Sequence, residues 1–324
     1  MQRIAERNFK LALTEPSDGA ETRALLHMVA RLHYEQGRSQ VSIAKQIGVS
    51  TATVSRMLGR ARAEGIVRIE VRDLVPAEDL AGRLARALGL RRAVVADAPA
   101  ADPGAALAGP LGAMLAGAGL GPGSVLAVGW GRAIRAVLDA GLPALPGIVV
   151  VPATGGLQQQ APHFQINEFA RRAAEQAGGT ARFLHAPYLP SAAARAGFLA
   201  DPAIAGTVAL WDRIDVAVVG VGLPHARNAP EASVATPHEQ RLTRAAGDVI
   251  RHYFDADGRP VEWEGAARLI AASPAQLRAA RLTIGVAWGG AKAGPVIGAA
   301  RAGLITALVA DLRLAEAALA ELAA

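Results

Sequence analysis

The stretch Gln40-Val-Ser-Ile-Ala-Lys-Gln-Ile-Gly-Val-Ser-Thr-Ala-Thr-Val-Ser-Arg-Met-Leu-Gly-Arg60 has the spacing of a helix-turn-helix. Ile43, Ile47, Val49, Val54 and Met57 with Leu58 fall where two crossing helices bury apolar side chains, and the small Ala44 falls at the crossing. Gly48 stands in the turn, where a left-handed backbone costs least without a Cβ. Ser50 is a good N-cap for the second helix, because its hydroxyl can accept from an orphan amide of the first turn. Thr51, Thr53, Ser55, Arg56 and Arg60 are left on the outer face, small or basic, as a helix entering a major groove requires. Double-stranded DNA is therefore the first partner to consider. The alternative is a helix pair with the same packing that never meets DNA. Ser50, Thr51, Thr53 and Arg56 are the candidates for base-edge contacts, with Ser55 beside them on the same face. Gln40, Arg60, Arg68 and Arg72 are the candidates for phosphate contacts.

Charge supports that reading. The chain of 324 residues carries a net charge of +6. Residues 21–73 hold nine Lys/Arg against five Asp/Glu, and residues 1–20 hold three of each, so most of the excess lies in the helix-turn-helix segment. Just beyond it, Ile66-Val67-Arg68-Ile69-Glu70-Val71 alternates with period two and reads as a short β-wing. The expected organisation is a loose tail over 1–20, a winged helix-turn-helix over 21–73 and a larger domain over 74–324 joined through Arg72–Pro76.

Composition excludes several classes. There is no cysteine, which removes disulfides, thiolate metal sites and a cysteine nucleophile. His163, His185, His225, His238 and His252 match no ligand spacing, so neither a metal nor a cofactor is expected. The N-terminus has no apolar core of a secretion signal, which fits a cytoplasmic protein. Residues 103–131 carry no charge, but nine glycines and three prolines make a membrane span a poor reading.

After residue 76 short apolar runs alternate with helical patterns. Strands are expected at 94–96, 125–128, 148–151, 181–184, 216–221, 282–287 and 305–309, with helices between most of them. The runs are continuously apolar, which predicts a mainly parallel α/β sheet buried on both faces. Glycines after several strands mark turns at the carboxyl edge, where open α/β sheets bind ligands.

These motifs, in their order, resemble the SorC family of bacterial sugar-binding transcriptional regulators. The resemblance rests on Ala30-Arg31-Leu32-His33-Tyr34 with Gln40, Val54-Ser55-Arg56-Met57-Leu58 and Glu64-Gly65-Ile66-Val67-Arg68-Ile69. It continues through Val128-Gly129-Trp130-Gly131, Gly155-Gly156, Asn167, Gly220-Val221-Gly222, Gly247-Asp248 before Tyr253-Phe254-Asp255, and Gly289-Gly290-Ala291-Lys292. The resemblance implies a Rossmann-like effector domain of the sugar-phosphate-isomerase type. It also implies a homo-oligomer, dimer or tetramer, and a small sugar, polyol or sugar phosphate bound at the sheet edge.

The candidate effector residues are Gly129, Trp130, Gly131, Arg132, Thr154, Gly155, Gly156, Asn167, Gly222, Asp248 and Lys292. Gly129–Arg132 opens a helix whose amides suit an anion or hydroxyls, or it is merely a tight turn. Thr154-Gly155-Gly156 can present a hydroxyl and amides, or it is a simple loop. Asp248 can accept sugar hydroxyls, or cap a helix. Lys292 suits a phosphate or carboxylate and is, by the resemblance, the effector-binding lysine; the alternative is a solvated side chain. The family often has a hydroxyl residue where Arg132-Ala133 stands, an arginine near Thr154 in some sugar-phosphate sensors, and a glycine where Trp288 stands. The chain thus reads as an effector-controlled regulator of a carbohydrate or polyol operon. Its rivals are an isomerase- or deaminase-like enzyme with a fused DNA-binding head, and a DNA-binding protein without a ligand.

Overall fold

The computed structural model describes residues 19–67, 77–99, 102–157, 165–224 and 235–324. The chain divides into two compact units, Met1–Leu74 and Val75–Ala324. The expected tail up to residue 18, most of the expected wing with Arg68 and Arg72, and the linker lie outside the described residues.

In the first unit α1 (Gly19–Ala30) runs on into a π-type turn over Arg31–Glu35, followed by α2 (Gln40–Ile47) and α3 (Thr51–Ala63). Ser39 caps α2, its Oγ accepting from the Ser42 amide at 3.2 Å. Gly48 ends α2 at φ 72°, a left-handed conformation that any Cβ would strain. Ser50 caps α3, its Oγ accepting from the Thr53 amide at 3.1 Å. Val29, Leu32, Ile43, Ala44, Val54 and Leu58 form the buried cluster that fixes the three helices, with Leu25, Ile47, Val49 and Met57 around it. A unit this small has little core to spare.

The second unit has nine strands among its described residues: β1 (Arg92–Ala96), β2 (Val125–Val128), β3 (Val149–Pro152), β4 (Thr180–Ala181), β5 (Ile214–Gly220), β6 (Gly247–Val249), β7 (His252–Phe254), β8 (Leu282–Ala287) and β9 (Ala307–Asp311). Its helices are α4 (Ala77–Leu88), α5 (Pro103–Ala116), α6 (Arg132–Ala140), α7 (Ile166–Ala177), α8 (Ala192–Ala200), α9 (Pro202–Val208), α10 (Pro237–Gln240), α11 (Pro274–Ala279), α12 (Ala293–Arg301) and α13 (Leu312–Ala323). β6 and β7 pair antiparallel as a hairpin. The other seven strands form one parallel sheet in the order β1-β9-β8-β5-β2-β3-β4.

Continuous apolar strands suit this sheet because both faces are covered. Leu126 and Val128 of β2 join Leu111, Met114, Ile134 and Phe169 from α5, α6 and α7. Val125 and Ala127 point the other way, into the layer that also holds Leu80, Leu84, Leu277, Val296 and Leu314. Among the described residues no helix is long and apolar enough to cross a membrane.

Three expectations change. The strand expected over 181–184 is only the two residues of β4, because Asn167 takes over the backbone of Leu184. The last strand begins at Ala307 rather than Ile305 and runs to Asp311. The β6–β7 hairpin and helices α8–α11 were not expected.

Leu126 is fully buried in the middle of β2. Leu126→Ala is expected to lower the unfolding free energy by about 2–5 kcal/mol, read as a shifted denaturant midpoint with an unchanged slope.

Candidate functional site

Ser50, the cap of α3, and Thr51, Ser55, Arg56 and Arg60 along it are exposed, whereas Thr53 and, at the start of α2, Gln40 are half-buried. Two of these candidates also serve the fold. Ser50 Oγ takes the Thr53 amide and lies 2.8 Å from Thr53 Oγ1, and the Arg56 guanidinium reaches Thr53 Oγ1 at 3.5 Å. Arg60 Nε is ion-paired with Glu64 one turn on, a solvated pair worth little by itself. The outer face of α3 is therefore small, hydroxylated and basic, and the hydroxyls of Ser50 and Thr53 are oriented by the helix start.

In the larger unit the chain order of the sheet reverses between β2 and β5. β2 is followed by β3 and β4 on one side, and β5 by β8 and β9 on the other. A reversal of this kind leaves a crevice at the carboxyl ends of the two strands, where ligands of open α/β sheets bind. The segments that converge there are Gly129–Arg132 after β2, Gly222 after β5, the β6–β7 hairpin and Lys292 just before α12.

Gly222 donates its amide to the Asp248 carbonyl at 2.8 Å, which stitches the end of β5 to β6. The approach is so close that a Cβ on Gly222 would lie 1.9 Å from Asp248 Oδ1. Asp248 is 7% exposed, and its Oδ2 accepts the Arg251 amide at 3.0 Å. The Lys292 ammonium donates to the Val221 carbonyl. Burial pushes the Lys292 pKa down to about 8; Asp248 acts against that shift and Arg132 adds to it. Asp248, Gly222, Lys292 and Arg132 thus share one electrostatic neighbourhood. Trp130 is 8% exposed and forms an edge-to-face pair with Tyr188, ring centroids 5.4 Å apart.

The remaining candidates are engaged within the fold. Thr154 is fully buried and its Oγ1 donates to the Ile270 carbonyl at 3.3 Å. The Gly155 amide donates to Ile270 O and the Gly156 amide to Ala186 O, both at 2.8 Å. Asn167 pairs with both backbone groups of Leu184. The Gly129 amide continues the sheet to Val218 O at 2.8 Å. In this geometry Thr154, Gly155, Gly156 and Asn167 hold loops and strands away from that convergence, and Gly129 ties the turn after β2 to β5 at its edge.

A polar cluster that the motifs did not announce lies beside Trp130 and Asp248. Arg251 is 2% exposed, with its guanidinium 3.6 Å from Glu239 and 3.2 Å from the Tyr253 hydroxyl. Its central carbon sits 5.6 Å from the ring centres of both Trp130 and Tyr188. Glu239, on α10, is fully buried and accepts from the Tyr253 hydroxyl at 2.8 Å and the Thr236 amide at 2.7 Å. Burial disfavours the Arg251 cation, but Tyr253, Asp248 and Glu239 together hold it protonated. Burial, reinforced by Glu239, pushes Tyr188 up to about 12, and it raises Tyr253 as well. Part of this cluster had a sequence signal: Thr236-Pro-His-Glu239 is a capping box with proline at the first helical position.

Comparison with known proteins adds the following. The family model "Putative sugar-binding domain" matches residues 73–320. The sorbitol operon regulator of Klebsiella pneumoniae is 29% identical over 304 residues, covering 90% of this chain and 96% of that protein. The erythritol catabolism regulatory protein of Brucella abortus is 27% identical over 305 residues, covering 89% and 94%. The crystal structure of the full-length sorbitol operon regulator from Klebsiella pneumoniae superposes with a TM-score of 0.68, covering 91% of this chain and 98% of that one.

Gly222→Ala is expected to drive Asp248 out of place and lower the unfolding free energy by about 1–3 kcal/mol. Thermal unfolding of variant and parent checks this, and an unshifted midpoint would show that the hairpin gives way freely.

Proposed function

The chain belongs to the SorC family of sugar-binding transcriptional regulators, and from that premise we propose how its two parts are used. It is a regulator under the control of a sugar-type effector, and its relatives' names as regulators set aside the isomerase- or deaminase-like enzyme. Residues 21–73 act as a winged helix-turn-helix on operator DNA. The exposed face of α3 enters the major groove, and Arg68 and Arg72 follow the phosphates. The chain works in the cytoplasm as a dimer or tetramer, so the operator contains inverted half-sites.

Residues 74–324 form a Rossmann-like effector domain of the sugar-phosphate-isomerase type. The observation that carries this reading is the convergence of Asp248 and Lys292, 44 positions apart in the chain, at the crevice between β2 and β5. A carboxylate there accepts hydroxyl protons, and an ammonium beside it donates to hydroxyl or phosphate oxygens. That pair fits a polyol, a small sugar or its monophosphate. Polyols are favoured by the names of the sorbitol and erythritol regulators. A bisphosphate fits poorly, because the Thr154-Gly155-Gly156 turn spends its donors on the fold. The effector bridges the β2 turn, the hairpin and the start of α12. It alters operator affinity by binding one arrangement of the subunits better than another.

Selection of genomic fragments by the purified protein at a stated moderate salt tests the DNA half. Enrichment of an inverted repeat beside a polyol or sugar operon is the expected result, and no enrichment at any salt would overturn it. Arg56→Ala should weaken specific operator binding by roughly 10–100-fold and leave calorimetric effector affinity as it was. The effector half predicts a pH dependence. Lys292 is protonated below about pH 8, so effector affinity should be flat below pH 7 and fall as pH rises through 8 to 9. Lys292→Ala should lose at least about tenfold in affinity, the scale of one charged hydrogen bond, and lose that pH dependence.

A further inference from the structure

The hairpin that carries Asp248 turns through two residues, Ile250 at φ 42° and Arg251 at φ 69°. They are the only non-glycine residues with positive φ among the described ones. A two-residue hairpin of this kind ordinarily takes Asn-Gly or Gly-Gly, because both positions need a left-handed backbone. A branched residue and a long cation stand here instead. The strained backbone aims the Arg251 side chain inward, where the guanidinium is enclosed by the Trp130 and Tyr188 rings, the Tyr253 hydroxyl and the Glu239 carboxylate.

Two consequences reach the crevice. The Arg251 amide occupies Asp248 Oδ2, which leaves Oδ1 on the side of Gly222. The guanidinium supports Trp130, the residue between the two glycines that follow β2. One residue therefore braces both walls of the site, and its charge is spent on Glu239 rather than offered to a ligand.

We propose that Arg251 is a positioning residue that sets the length of the effector: its side chain plugs the space beneath Trp130 and fixes which oxygen of Asp248 faces the ligand. This rests on the crevice being the effector site. The plug shortens the site at that end, and its charge, spent on Glu239, recognises no anion there. A glycine at 251 would fit the turn without strain and open the space.

Calorimetry with erythritol and D-glucitol as probes tests the proposal on the full-length protein, its Arg251→Gly and Arg251→Lys variants, and Lys292→Ala. Arg251→Gly is expected to shift the ratio of affinities at least tenfold toward the six-carbon probe. Arg251→Lys keeps the charge but not the planar stack and should fall between. Acrylamide quenching of Trp130, taken as the difference from a Trp130→Phe background, should rise in Arg251→Gly without any ligand present. An unchanged affinity ratio and unchanged quenching in a variant that still unfolds cooperatively would overturn the proposal. Should Lys292→Ala bind both probes as the parent does while Arg251→Gly still exposes Trp130, the crevice is not the effector site. The selectivity role then falls with it, and only the bracing of Trp130 stands.

Discussion

Where β2 and β5 lie side by side, the strands that follow them depart in opposite directions. α6, after β2, packs on one face of the sheet with Ile134, Val137 and Leu138, and α11, after β5, packs on the other with Leu277. Neither can close over the carboxyl ends of the two strands, so the gap belongs to loops. All the chemistry at the crevice comes from segments that reach into it: a glycine turn, a hairpin and the residue before a helix. The parallel register, Val128 beside Val218, fixes the spacing of the loops that follow the two strands. The hairpin is then fixed to β5 through the Gly222–Asp248 bridge. Small changes in sheet packing are therefore felt at the site.

The buried Arg251–Glu239 pair is poorly explained as a stabilising device. Taking both charges out of water costs several kcal/mol per ion by general estimates, and apolar replacements of equal volume are often as stable. The left-handed turn adds about 1–3 kcal/mol of strain for each non-glycine residue. Against this stand the hydrogen bonds from Tyr253 and the Thr236 amide to Glu239 and the two aromatic faces on the cation. That is the setting in which polar networks specify one arrangement rather than strengthen it.

Much of this was legible in the sequence, and the reasons differ by element. The helix pair at 40–63 announced itself because cap, turn and apolar spacing are all local signals: Gly48 and Ser50 act within four residues of themselves. The central strands were legible because burial on both faces makes them uniformly apolar. The hairpin was not, because Ile250-Arg251 lacks turn chemistry and the strands are three residues each. Asp248 and Lys292 could be named singly from motifs, but their convergence is a property of topology. Arg251, Glu239 and Tyr188 look like surface residues in a linear reading, and only the fold makes them interior. Thr154, beside two glycines, and Asn167, at the start of a helix, read as ligand candidates in the sequence, while in the fold their groups meet the chain's own backbone.

The short β4 also bears on how copies of the chain can meet. A sheet of long apolar strands with a bare rim invites another strand to dock and propagate. Here the rim is two residues long, and beyond it the Asn167 side chain answers both the N–H and the C=O of Leu184 as a neighbouring strand would. A side chain that imitates a strand satisfies the backbone and offers no template to the next molecule. Assembly along this rim by sheet extension is thereby discouraged.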